Sequence, residues 1–142
     1  MDYLVNTTRG LTEFASPVVV SDGDPIAGSA SGIAIGVTPE DPDSENSLEY
    51  AQTGAQAEWE NVDIPCILWA EVGGDKMKPA RDAAFVLFNA FMTMIRTDRS
   101  LGDAVKSNPA GVRVARVSQT RIDSGRRCEI RFNVSYKSRL AA

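Results

Sequence analysis

The stretch Ile64–Thr97, IPCILWAEVGGDKMKPARDAAFVLFNAFMTMIRT, decides the fold because it joins a buried strand to a long helix. In its first part, Ile64–Val72, apolar residues occupy both alternating sides of the expected strand. One side carries Ile64, Cys66, Leu68, Ala70 and Val72. Ile67 and Trp69 lie on the other side, so we expect a central strand that is covered on both faces. Pro65 fits at the beginning of such a strand, where a missing backbone donor does least harm.

After the glycines that end this strand, the spacing predicts a helix from about Pro79 to Thr97. Its apolar side chains recur every three or four residues and form one broad stripe. The stripe consists of Ala80, Ala84, Leu87, Phe88, Phe91, Met94 and Ile95. Phe85, Val86 and Met92 widen it, so we expect cover on more than one side, from the chain's own core or from a neighbouring subunit.

The remaining segments predict strands and one short helix. The predicted helix covers Leu4–Ala15, and the predicted strands cover Val18–Val20, Ile33–Val37, Val112–Ile122 and Arg126–Lys137. The last two strands form a hairpin around residues 123–125. In the final strand, Cys128, Ile130, Phe132, Val134 and Tyr136 are expected to face the core. The prediction is therefore one α+β domain over residues 1–142, with a mixed or antiparallel sheet under the long helix (about 79–97) and shorter helices.

Thr38–Glu49 is an acidic, proline-containing segment with only Leu48 as a substantial hydrophobic residue. It buries too little apolar area to offset its ordering entropy, so we expect a mobile loop at about residues 38–49. Its acidic residues are Glu40, Asp41, Asp43, Glu45 and Glu49. Such a loop is either a solvated hairpin tip or an arm that orders against a neighbouring subunit. A calcium loop is disfavoured because Asn46 and Gln52 replace the required glycine and glutamate.

The composition argues against most enzyme classes. The 142 residues include no histidine, which removes every histidine-based triad and metal site. Cys66 and Cys128 lie at core-facing positions and lack the spacing of a zinc site. No run of about 18 apolar residues predicts a membrane span. We expect no catalytic residue, cofactor or bound metal.

The charge is strongly polarised along the chain. Met1–Asp75 contains 14 acidic residues and one basic residue, whereas Lys76–Ala142 contains 5 acidic and 14 basic residues, and the net charge is -4. The halves either neutralise each other within one fold or form separate surfaces. In the second case identical copies would meet head to tail, and such contacts close into rings when the rotation allows it.

The basic residues of the last two strands allow two interpretations. As a subunit interface, Arg113, Arg116, Arg127 and Arg131 would pair with Glu58, Glu60 and Asp63 of an adjacent copy. As a nucleic-acid site, the same arginines with Arg121 and Lys137 would neutralise phosphates. The isoelectric point near 4.8 and the absence of exposed aromatic residues favour the interface. Charge reversal at Arg127 and Arg131 is then expected to weaken ring formation.

Four stretches carry a family resemblance by their order and spacing. They are VVVSDGDP at 18–25, IPCILW at 64–69, ARDAAF at 80–85 and DRSLG at 98–102, followed by the closing pattern RFNV at 131–134. In this order the chain resembles the tail terminator proteins of long-tailed bacteriophages of the siphovirus type, especially those of phages of actinobacteria.

The resemblance implies a virion protein of the head–tail junction, assembled in the host cytoplasm. Its copies would form a ring, with six subunits expected, that caps the head-proximal end of the tail tube and stops tube polymerisation. The implied partners are other copies, the tail tube protein and a head-completion or stopper protein, while DNA crosses the channel without sequence-specific binding. No membrane is involved. The alternatives are a head–tail stopper or adaptor and a small nucleic-acid-binding module.

Overall fold

The structure, a computed structural model, describes residues 2–25, 29–38, 59–99, 110–122 and 125–139. Within these residues, helix α1 spans Asp2–Arg9, a 3-10 turn spans Thr12–Phe14 and helix α2 spans Lys78–Thr97. The strands are β1 (Val19–Asp22), β2 (Ser31–Ile35), β3 (Trp59–Gly73), β4 (Gly111–Ile122) and β5 (Gly125–Arg139). The described fold is α+β, with a five-stranded mixed sheet and one long helix, as the sequence predicts.

The sheet has the order β1-β2-β3-β5-β4, which places β3 at its centre. β1 and β2 run parallel, and the other neighbouring strands are antiparallel. β5 pairs with β3 along its whole length, from Trp59 opposite Arg139 to Gly73 opposite Gly125. The prediction of a central strand is confirmed, but β3 begins five residues before the predicted Ile64 because β5 supplies a partner for these residues.

Alternate side chains of β3 divide between two apolar clusters on the two faces of the sheet. Residues of the larger cluster lie on the face that carries the helices; from β3 they are Ile64, Cys66, Leu68 and Ala70. Ile67 and Trp69 form the smaller cluster with Ala34 and Val37. The predicted division of the strand is confirmed. The opposite face carries no helix among the described residues and is called the helix-free face below; it therefore has an apolar centre of its own.

Pro65 lies in the middle of β3 and not at its beginning. Its carbonyl oxygen accepts hydrogen bonds of 2.9 Å from the backbone N–H groups of both Gly36 and Val37, just after β2 ends. The nitrogen and carbonyl of one strand residue point to the same side, so the missing donor of Pro65 faces the place where β2 has left the ladder. The proline thus costs no strand–strand hydrogen bond.

Helix α2 packs the predicted stripe onto the sheet. Its seven buried residues are those predicted: Ala80, Ala84, Leu87, Phe88, Phe91, Met94 and Ile95. The ring centroids of Phe88 and Phe91 lie 5.1 and 5.3 Å from the ring centroid of Phe132 on β5. Val86 does not widen this buried stripe, because it is 60% exposed. The chain's own core therefore leaves Val86 uncovered.

The N-terminal segment is not the single helix predicted over Leu4–Ala15. α1 ends at Arg9, and the N–H of Gly10 donates to the carbonyl of Thr7 in a tight turn. Glycine is a poor residue inside a helix, which explains the end at this place. Leu4 and Phe14 are nevertheless both buried, so the two pieces anchor the segment separately.

β4 and β5 pair antiparallel from Gly111 opposite Ser135 to Ile122 opposite Gly125, with a register shift between Val114 and Arg116. On β5 the predicted alternation holds: Cys128, Ile130, Phe132 and Val134 are at most 1% exposed. Residues 123–124 and the acidic residues Glu40, Asp41, Asp43, Glu45 and Glu49 of the predicted loop lie outside the described residues.

Candidate interaction surfaces

Arg127 is the centre of a charged cluster on the helix-free face of the sheet. Its Nη1 lies 2.7 Å from Oε1 of Glu71, directly opposite on β3, and its Nε lies 2.8 Å from Oε2 of Glu129. The guanidinium carbon lies 5.5 Å from the ring centroid of Trp69. Arginine carries its donors in a rigid planar fork, which suits two carboxylates and an aromatic face at once. The cluster holds β3 and β5 together within one chain.

These contacts compete with the predicted pairing of Arg127 with a neighbouring copy. The three side chains are only 22–28% exposed, so the cluster is largely removed from water. A carboxylate of a neighbouring copy would have to share Arg127 with two short ion pairs or replace them. The intermolecular role of Arg127 stays a prediction.

The acidic residues proposed as partners are not brought together within the described residues. Asp63 lies on β3 opposite Ser135, whose hydroxyl donates to its Oδ1 at 2.6 Å. The backbone of Glu60 pairs with Ser138 farther along β3. Glu58 lies outside the described residues. Asp63 is thus an accessible but already hydrogen-bonded carboxylate.

The arginines of β4 are different, because they are exposed. Arg113 and Arg116 lie opposite Asn133 and Arg131 of β5, on the helix-free face, and Arg131 is half-buried there. Arg121 lies opposite Arg126, on the face that carries the helices, and is also exposed. No acidic residue occurs between residues 111 and 122. β4 is therefore a purely basic strand at the edge of the described sheet.

β4 also exposes apolar side chains on its other face. Val114 and Val117 lie opposite Phe132 and Ile130, so they share the face that carries the helices. They are 47% and 41% exposed. Among the described helices, α2 lies mainly over β3 and β5 and leaves these two valines exposed.

A groove runs between α2 and the N-terminal segment. It is open, has a volume of about 670 Å³ and is lined mainly by apolar atoms. Its lining residues are Tyr3, Thr7, Leu11, Glu13, Val86, Asn89, Ala90, Thr93, Met94, Thr97 and Asp98. They include two carboxylates and no basic residue. The groove is thus apolar along its length and acidic in its charge.

Two contacts fix the end of this groove. The hydroxyl of Tyr3 donates to Oδ2 of Asp98 at 3.0 Å, and burial together with that carboxylate raises the pKa of Tyr3. The hydroxyl of the buried Thr8 donates to the sulfur of Met94 at 3.6 Å. Sequence analysis missed the groove, because it counted Val86 among the residues that widen the apolar stripe, with cover from the core or from a neighbouring subunit. The sequence did contain one indication of the groove: Val86 lies outside the seven-residue stripe of buried positions.

The start of the predicted acidic loop is tied to the turn after β1. The backbone N–H of Thr38 donates to Oδ1 of Asp24 at 2.6 Å, and its hydroxyl donates to Oδ2 at 2.8 Å. These two bonds lower the pKa of Asp24, because they favour the ionised carboxylate.

Both thiols lie in the core. Cys66 and Cys128 are free and buried, as predicted from their core-facing positions. Burial raises the pKa of Cys66 to about 12 and also raises the pKa of Cys128. Neither thiol is ionised near neutral pH, and the thiolate is the nucleophilic form.

Across the part of the chain that the structure describes, no three Cys, Asp or Glu side chains converge to hold a metal ion. In the same residues no helix has the length and apolarity needed to cross a membrane. In comparisons with known proteins, the chain matches no protein-family model and no curated protein sequence.

Proposed function

We propose that this chain is a structural virion protein that forms a ring, with six subunits expected, and caps the head-proximal end of a phage tail tube. The supporting observation is the basic edge strand β4. Arg113, Arg116 and Arg121 are exposed on it with no acidic residue beside them in the strand. The first 75 residues of the same chain are rich in carboxylates, so another copy offers the complementary charge.

In this role the protein works by shape and charge. The predicted loop at about residues 38–49 orders against a neighbour or against the tube, and interface contacts offset its entropy cost. Ring closure then blocks the addition of further tube subunits and provides the surface for head–tail joining, with DNA passing through the channel. The expected partners are other copies, the tail tube protein and a head-completion or stopper protein, at the head–tail junction of the virion.

Two other functions make different predictions for the same strand. A stopper or adaptor would also form a ring but would bind head-side proteins only. A nucleic-acid-binding module would use the three exposed arginines of β4 on phosphates, and its affinity would fall steeply with salt.

The test has two parts. Sedimentation velocity across a concentration series, with negative-stain imaging, is expected to show rings, and these rings are expected to bind the ends of tail tubes. Gold-labelled antibody against the chain is expected to mark the head–tail junction of virions whose genome encodes it. A monomer at every concentration that is absent from such virions would contradict the proposal. A monomer that binds DNA would favour the nucleic-acid module.

A further inference from the structure

Large exposed hydrophobic side chains mark two separate places in the described structure. Val86 lies in the groove between α2 and the N-terminal segment, and Val114 and Val117 lie on the edge strand β4. On α2, the groove side carries Val86 and Ala90, whereas Arg81, on another side of the helix, reaches Gln119 of β4. The two apolar surfaces therefore lie on different flanks of the helix.

The two surfaces also carry opposite charge. The groove is lined by the carboxylates of Glu13 and Asp98 and by no basic residue. On the face of β4 that carries Val114 and Val117, Arg121 is exposed and Arg81 of α2 reaches Gln119, whereas Arg113 and Arg116 lie on the opposite face; β4 itself has no acidic residue. Apolar centres with complementary charge beside them favour a specific protein–protein contact.

The groove is also long enough for both valines. From Val86 to Thr97 it follows eleven residue steps of the helix, which rise about 16 Å at ~1.5 Å each. Val114 and Val117 lie three residues apart on the strand, or about 10 Å at ~3.4 Å each. Both side chains thus fit along one groove.

We infer that β4 of one copy lies in the groove of a second copy, with Val114 and Val117 against Leu11, Val86 and Ala90. The inference rests on the proposed ring function and names its subunit contact. Because the two surfaces differ, the contact is head to tail: each copy offers one strand and one groove, so a pair still has a free surface at each end. Such a contact continues to a closed ring or a filament and does not stop at a dimer.

Two variants each disable one surface. Val86→Glu places a charge in the groove, and Val117→Glu places one on the strand. Both positions are at least 41% exposed, so the fold is expected to survive, which circular dichroism and urea unfolding check. Lys76→Gln is the matched control, because it changes the net charge by the same amount at an exposed site between β3 and α2.

The decisive measurement is sedimentation velocity of each variant alone and of the two mixed. Each variant alone is expected to show a dissociation constant raised at least about tenfold, while the control assembles like the original chain. In the mixture, the strand of the Val86→Glu copy meets the groove of the Val117→Glu copy. One-to-one heterodimers are expected, and they should not grow further.

Glu13→Lys provides an independent test of the same contact, because it removes a groove carboxylate and leaves every apolar side chain in place. It is expected to weaken assembly and to flatten its dependence on NaCl concentration. Assembly of the original chain and of all three variants alike would overturn this contact and leave the ring function standing. A mixture that stays monomeric would also overturn it. Failure of the original chain to assemble at all would overturn the ring function too.

Discussion

Replacing Arg127 with methionine tests which contacts this arginine serves. Arg127→Met keeps much of the aliphatic stem but removes both ion pairs, leaving Glu71 and Glu129 without their cation. Removing one partner of a fully buried pair costs about 3–5 kcal/mol, and an exposed pair contributes about 0–1 kcal/mol. The three side chains are 22–28% exposed, which lies between these limits. We expect the free energy of unfolding to fall by about 2 kcal/mol.

The assay is urea unfolding at a concentration where the chain is monomeric, followed by tryptophan fluorescence. Arg113→Met is the matched control: Arg113 is exposed on β4, and its replacement is expected to change the free energy of unfolding by less than about 0.5 kcal/mol. Self-association is measured on the same samples. Arg113→Met is expected to weaken it, whereas Arg127→Met should not.

The opposite pattern would refute this reasoning. If Arg127→Met left the free energy of unfolding unchanged but weakened self-association, the ion pairs with Glu71 and Glu129 would contribute nothing. Arg127 would then serve a neighbouring copy, as the sequence-based pairing predicts.

Three further predictions concern the core. Phe132→Ala removes a ring whose centroid lies 5.1 and 5.3 Å from those of Phe88 and Phe91. In urea titrations it should lower the free energy of unfolding by about 4 kcal/mol. The control Phe85→Ala, at a half-buried position, should lower it by about 1–2 kcal/mol. Equal losses would contradict this packing. Gly32→Ala would bring a Cβ to 2.5 Å from the carbonyl oxygen of Val19 and 2.8 Å from the Trp69 ring. The same titration is expected to show a free energy of unfolding lower by about 2–3 kcal/mol. An unchanged urea midpoint would argue against so close an approach. The raised pKa of Cys66 keeps its thiol neutral in the fold, so stability is retained below about pH 9 and falls by about 1.4 kcal/mol per unit as pH rises from there towards 12. Cys66→Ala should lack this component, and identical pH profiles for both proteins would exclude it.

The sequence predicted best those elements whose signal is local and repeated. The stripe of α2 combines seven positions at helical spacing, so no single residue decides it. The division of β3 into two apolar faces follows in the same way from its period of two. Such patterns record which side of an element is buried.

The elements that were predicted poorly depend on distant partners. The five residues before Ile64 join β3 because β5 runs beside them, and no local pattern shows that pairing. The parallel pairing of β1 with β2 is equally invisible in the sequence. Arg127 looked like one exposed arginine among several, since Glu71, 56 residues away, becomes its neighbour only when β3 and β5 align.

The charge of β4 has a consequence for which associations the chain avoids. An edge strand offers unpaired backbone groups that invite a second strand, often the same strand of an identical molecule. Two β4 strands side by side would bring six arginines together with no carboxylate in either strand. Repulsion of this kind disfavours symmetrical edge-to-edge dimers and the open-ended sheet stacking that leads to precipitation. The strand can therefore stay exposed in the free protein without pairing with the same strand of an identical copy.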